Sequence, residues 1–197
     1  MKIEKKKSFV ILLVFIITIT FVFGGTFLFS TENNQRPPDS NRMEKGFAPT
    51  PYSANEIKLN CPQGRVIVFQ VETSGKPLFF QTMKFGTESQ DGTVVESTIT
   101  DAAGNIVGQK QFIVSKWTEL QAHASFPEDR TRIETQEFTT PLGTFDCWLY
   151  TISSETNAVK SEKRFWFAKI LPGPPICYEE KTSDVVTYRL TMLKSTK

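Results

Sequence analysis

Few residues in this chain are of types that do chemistry near neutral pH. They are the cysteines Cys61, Cys147 and Cys177, the single histidine His123, and the adjacent carboxylates Glu128-Asp129 and Glu179-Glu180. Acid–base work by a histidine needs a partner within hydrogen-bond reach. His123 sits in the run TELQAHASF, with no Ser or Asp placed about it in a known motif. It reads as a surface or capping residue. Neighbouring residues of a strand point to opposite faces, so Glu179 and Glu180 cannot share one site. They read as solvated edge charges. No C-x-x-C or Cys/His spacing suggests zinc or redox cycling. The expectation is a non-enzymatic protein with no catalytic residue, no cofactor and no metal.

The elements that would position a site begin with the leader. Lys2, Lys5, Lys6 and Lys7 precede a run, Ser8 to Phe29, that carries no charge and is rich in Val, Ile, Leu, Phe and Thr. About 20 apolar residues suffice to span a bilayer, whereas the core of a secretory signal is usually ~7–15. Residues 1–30 therefore read as an N-terminal transmembrane helix, with a cleaved signal at Val22-Phe23-Gly24 as the alternative. Basic flanks stay in the cytoplasm. Either reading puts everything after Ser30 outside it, in the periplasm or on the cell surface. There the odd count of cysteines allows one disulfide and one free thiol. Cys147 with Cys177, Cys61 with either, and no bond at all are the alternatives.

The chain carries a formal net charge of +2. Residues 1–30 hold four of the lysines and one glutamate, so 19 basic and 20 acidic residues remain and the exported part is close to neutral. No basic cluster tracks phosphates, so nucleic acid is not an expected partner. The expected partners are the membrane, through the N-terminal helix, and a lipid or an envelope protein.

Residues 31–54 are rich in Pro, Asn and Ser and read as a flexible tether. Residues 55–197 read as one β domain. Ile57, Leu59 and Cys61 alternate. Arg65 to Thr73 is a β-branched strand, and Leu78 to Phe85 is another. Gln90-Asp91-Gly92 and Asp101 to Asn105 are turns. Ile106 to Trp117 reads as a long strand, Thr118 to Phe126 as the one short helix, and Thr131 to Thr139 as a strand. Thr140-Pro141-Leu142-Gly143 turns the chain, and Ser153 to Lys160 is a polar loop between two aromatic strands. Leu171 to Pro175 stops the second of these, and Ile176-Cys177-Tyr178 and Val185 to Leu193 follow. Short reversals between about nine or ten strands imply an antiparallel meander. A sheet that wide curls, here into a half-open barrel.

Several strands are apolar on both faces. Phe79, Met83 and Phe85 share one face of their strand. Trp148 and Tyr150 share one face of theirs, opposite Cys147 and Leu149. Sheets with a wet face alternate apolar and polar residues, so these strands need cover on both sides. Phe79, Met83, Phe85, Trp148 and Tyr150 are the candidate lining of an apolar ligand site.

The run TPLGTFDCWLY, followed by FWFA and then PGPP before the last strand, resembles the C-terminal half of uncharacterised bacterial envelope proteins. Those carry T-P-x-G-[TS]-F, then W-[FL]-[AS], then P-G-x-P-[VI]. They are similar in pattern to a domain of unknown function whose fold resembles the half-open barrel of periplasmic lipoprotein carriers. The resemblance implies a fold and an envelope address and brings no catalytic residues. Cys177 stands where that pattern has Val, which leaves the cysteine pairing open here. The functional expectation is a membrane-tethered extracytoplasmic domain that binds an apolar ligand or an envelope partner. The alternative is a structural docking component with no ligand.

The leader is tested by fractionation and intact mass. The full chain is expected to partition with membranes and to keep residues 1–30. A new N-terminus near Thr26 would show cleavage instead.

Overall fold

The computed structural model describes residues 36–156 and 159–196. The leader assigned to residues 1–30 lies outside them. Among the described residues no helix is long and apolar enough to cross a membrane. The fold is mainly β. The strands are β1 (Val66–Thr73), β2 (Phe79–Glu88), β3 (Gly92–Asp101), β4 (Gln111–Lys116), β5 (Thr131–Thr140), β6 (Gly143–Thr156), β7 (Val159–Ala168), β8 (Cys177–Thr182) and β9 (Val185–Thr196). They form one nine-stranded antiparallel sheet in the order β4-β3-β2-β1-β9-β8-β7-β6-β5. Two meanders, β1 to β4 and β5 to β9, are thus joined by pairing β1 with β9, which brings Val66 opposite Thr196. The sheet is not closed, and β4 and β5 are its edges.

Local chemistry sets the reversals. Ser183 and Asp184 take positive φ (49° and 65°) between β8 and β9, as a two-residue hairpin turn of the primed type requires. After β3, the Asp101 carboxylate accepts from the backbone N–H of Ala103 (2.9 Å) and Asn105 (2.8 Å). The strand expected over Ile106 to Trp117 is shorter, because Gly108 at φ +83° breaks the extended path and β4 starts only at Gln111. Of the polar run expected as a loop, Ser153 to Lys160, the described residues 153–156 and 159–160 continue the ladder instead, with Thr156 opposite Val159. Both of its faces can meet water, so polarity alone does not end the strands.

The single expected helix is corrected to two. The second of them, α2 (Trp117–Ala122), falls near the predicted place, and Glu119 accepts from the Lys116 N–H at 2.9 Å. The first, α1 (Ala54–Asn60), replaces the alternation read at Ile57, Leu59 and Cys61. Ser53 Oγ accepts from Glu56 N–H (3.3 Å) while the Glu56 carboxylate accepts from Ser53 N–H (2.7 Å), a reciprocal cap that starts a helix. Ile57 and Cys61, one turn apart, are buried, and Leu59 is 68% exposed.

The stretch read as a tether, residues 31–54, is corrected from Arg36 onward. Ala48, Thr50 and Tyr52 are buried. Tyr52 donates its hydroxyl to the Ala168 carbonyl (2.5 Å), and Tyr150 donates to the Pro49 carbonyl (2.6 Å). Gln121 of α2 clamps the segment, donating to Thr50 Oγ1 (3.0 Å) and accepting from Ala54 N–H (2.9 Å). Composition argued against independent folding, but a preformed sheet face supplies the partners that this segment lacks by itself.

Both faces of the aromatic half are buried. Val71, Leu190, Tyr178, Phe165, Tyr150 and Ile133 lie in one row across six strands. Phe126 covers that row, 4.9 Å from the Phe165 ring and 5.9 Å from Tyr150, and Tyr52 meets Phe167 edge-on at 6.1 Å. On the other face Leu149, Trp166 and Cys177 form a second row. Phe138 packs on Trp166 at 4.6 Å, and the Trp166 indole donates to Gln136 Oε1 at 2.9 Å. Phe165 and Phe167 are buried as their two-sided strand requires, with buried Trp166 opposite, while Trp148 is only half-buried.

Phe165 is a buried ring at the centre of its face, stacked on Phe126 and, at 4.4 Å, on Tyr178. Phe165→Ala is expected to cost about 3–5 kcal/mol, a large part of the ~5–15 kcal/mol of a typical domain. Chemical denaturation reads this directly. An unchanged midpoint would place the ring outside the core.

Candidate functional site

One cavity of about 290 Å³ lies between the two helices and the β1–β4 half of the sheet. That is near the lower end of the roughly 300–1,000 Å³ of small-molecule sites. Its floor is Phe69 of β1, Met83 and Phe85 of β2 and Val95 of β3. Ile57 and Cys61 form one part of its roof, and Leu120 and Ala124 form the other. Phe165 and Phe167 close one end, and Gly173 and Pro174 flank Cys61.

The cavity exists because of strand register. Phe85, Val95 and Ile113 stand opposite one another on β2, β3 and β4, and Met83, Ser97 and Gln111 form the next row. All six point toward the helices. Two helices of this length cannot cover four strands, so the outer part of the floor stays unfilled. Polar groups gather on that outer part. Gln81 Nε2 donates to Ser97 Oγ at 3.0 Å, and Gln111 stands across from Ser97 on β4, while Ser115 lines the cavity on the far side of Ile113. His123 stands at the exposed rim. Partial desolvation pushes its pKa below the ordinary histidine value, with Glu119 pulling the other way. No Asp, Glu, Lys or Arg lines the cavity.

The wall near α1 is held by Arg65, which is wholly buried. Its guanidinium donates to the Asn60 carbonyl (2.7 Å), Cys61 Sγ (3.1 Å), the Pro172 carbonyl (3.1 Å) and Ser195 Oγ (3.1 Å). Gly173, at φ +142°, passes so close that an added Cβ would meet both Arg65 Nη1 and Cys61 Sγ at 3.3 Å.

Of the residues expected to line an apolar ligand site, Met83 and Phe85 line this cavity. Phe79 shares their face but lies beyond the cavity, at the start of β2. Tyr150 is spent in the core under Phe126. Trp148 lies under the ammonium of Lys169, 4.0 Å from the ring centre. These two strands did need cover on both sides, but residues 48–52 and Phe126 provide it. The roof residues Ile57 and Cys61 escape the sequence reading because it makes α1 extended, and Leu120 escapes it although its helix is read, because its place over the β2–β4 face is not local. The Ser53-x-x-Glu56 pattern was the signal that marks α1.

The expected pairing of Cys147 with Cys177 is not made. Cys147 is on β6 and Cys177 on β8, with β7 between them. Two strand spacings of about 4.8 Å exceed the ~7 Å limit for a disulfide. Among the described residues no group of three His, Cys, Asp or Glu is placed to hold a metal.

Burial pushes the pKa of both Cys147 and Cys177 up to about 12, so neither forms the reactive thiolate near neutrality. Both are expected to resist iodoacetamide at about pH 8 in the folded protein and to react fully in urea, as peptide mass spectrometry would read. Rapid labelling of the folded protein would mean that β6 to β8 open readily. No family model, curated protein or solved structure matches the chain, so the reading of the site rests on its own geometry.

Proposed function

We propose that this chain is a non-enzymatic, membrane-tethered extracytoplasmic domain that holds a small apolar ligand between its helices and the curled β1–β4 half of its sheet, in the manner of a half-open barrel. The single observation that carries the reading is the cavity of about 290 Å³ with an apolar floor, an apolar roof and a few polar groups on one side. Burial of apolar ligand surface is worth about 25 cal/mol per Å², and a preformed concave site loses little in reorganising. The membrane tether rests on the uncharged run from Ser8 to Phe29 behind its lysines. The non-enzymatic reading is supported by His123, whose ring forms no hydrogen bond to another described side chain.

A second reading, a docking component without a ligand, draws on the outer face of edge strand β4. Phe112 is 67% exposed there and Val114 80%, on the side opposite the cavity.

Organic extraction of the purified full chain separates the two. Wild type is expected to release a small apolar molecule in near-stoichiometric amount, and Met83→Asp is expected to lose it while circular dichroism stays unchanged. A buried carboxylate without a partner is strongly disfavoured beside an apolar ligand. Equal recovery from both proteins, or none from folded wild type, would remove the ligand reading.

A further inference from the structure

We infer that the ligand of this cavity is an uncharged amphiphile: an apolar chain ending in one hydroxyl or primary amide, seated with that head against Gln81, Ser97 and Gln111. The inference rests on the apolar-ligand reading above and names the class of molecule. Register fixes the arrangement. Ser97 and Gln111 are direct neighbours on β3 and β4, and the Gln81 amide reaches Ser97 from β2. The adjoining row of Phe85, Val95 and Ile113 is wholly apolar, and Phe69 of β1, directly across from Gln81, carries the apolar lining on toward Phe165 and Phe167. Gln81, Ser97 and Gln111 are thus a contiguous polar cluster beside an apolar floor, whereas Gln121 has its amide turned to Asn41, Thr50 and Ala54, and Ser115 and His123 stand apart from the cluster.

The polar end presents both a donor and an acceptor. Gln81 Nε2 is given to Ser97 Oγ, which leaves Gln81 Oε1 to accept and the Ser97 hydroxyl to donate. An alcohol or a primary amide uses both. A carboxylate or phosphate accepts only, so it would face Gln81 Oε1 without benefit. It would also lack a counter-ion. The nearby lysine of β4's approach, Lys110, is paired with Glu96 at 2.7 Å on the opposite face of the sheet. Arg65 lies behind Gly173 with its donors already turned to Asn60, Cys61, Pro172 and Ser195. A buried anion with no cation and few donors is strongly penalised. An ammonium head fails for the matching reason, since no carboxylate lines the site.

The test is photolabelling of the full chain, purified as expressed, with decanol carrying a diazirine in its chain, followed by peptide mapping. Label is expected on β2 and β3. Unlabelled decanol and decanamide should compete, and decanoate should need about tenfold or more higher concentration, equivalent to about 1.4 kcal/mol. Gln81→Leu, at a half-buried position that tolerates an apolar side chain, should erase the advantage of decanol over decane and leave labelling by the chain intact. Equal competition by decanoate overturns the uncharged-head inference while the apolar-ligand reading stands. An undiminished preference for decanol in Gln81→Leu overturns the assigned head position. Absence of label from the cavity peptides overturns this inference and the ligand reading together.

Discussion

A guanidinium without solvent holds the two halves of this fold together. Arg65 stands at the entrance to β1, the strand at which the two meanders meet. Its donors reach the last carbonyl of α1, the loop between β7 and β8, and Ser195 near the end of β9. Among the described residues no carboxylate pairs with it. Its charge is met by carbonyl dipoles, and the one at Asn60 belongs to a helix C-terminus, where cations are favoured. That carbonyl would otherwise be one of the orphan acceptors of a helix end. A buried charge is stable only while its hydrogen bonds are kept, so the three segments must stay together. These are the segments that carry Cys61, Gly173 and Pro174 into the cavity wall.

The cavity follows from an imbalance of cover. Six strands of the sheet share the row from Val71 to Ile133, which Tyr52 and Phe126 cover with aromatic contact. The same face of β2, β3 and β4 has only α1 and α2 above it. Closing the sheet would have filled the space with side chains, as small barrels do, but β4 and β5 remain edges. The unfilled space is apolar where the helices reach and polar toward Gln111. The cavity and the fold are thus set by the same residues. Phe85 is at once core and floor.

Sequence alone carried the strands well and the covering poorly. The turns at Asp101, Pro141 and Pro172 announce themselves through side-chain hydrogen bonds and fixed φ, both local effects, whereas the positive-φ turn at Ser183-Asp184 was not read from the sequence. Pairing β1 with β9 is non-local and leaves no local trace. The α1 error was of another kind, because residues spaced as Ile57, Leu59 and Cys61 fit a strand by alternation and a helix through the first and third. Only the cap formed by Ser53 and Glu56 decides between them. Tyr150 needs cover across its face of β6, and that cover comes from Phe126 and from a proline-rich stretch whose composition suggested a tether, while Trp148 lies under Lys169. Met83 and Phe85 were legible as facing a cavity because their face of β2 is apolar, and among the described residues the two short helices are what stands above it.

The central claim is that the space between α1, α2 and β2–β4 is a ligand site and not a packing defect. A crystal structure of the protein grown with decanol tests it most directly. The account predicts continuous density for the chain between Phe85, Val95 and Phe167, with the hydroxyl within hydrogen-bond distance of Gln81 or Ser97. Helices collapsed onto the sheet, or a site filled only by ordered water, would contradict it.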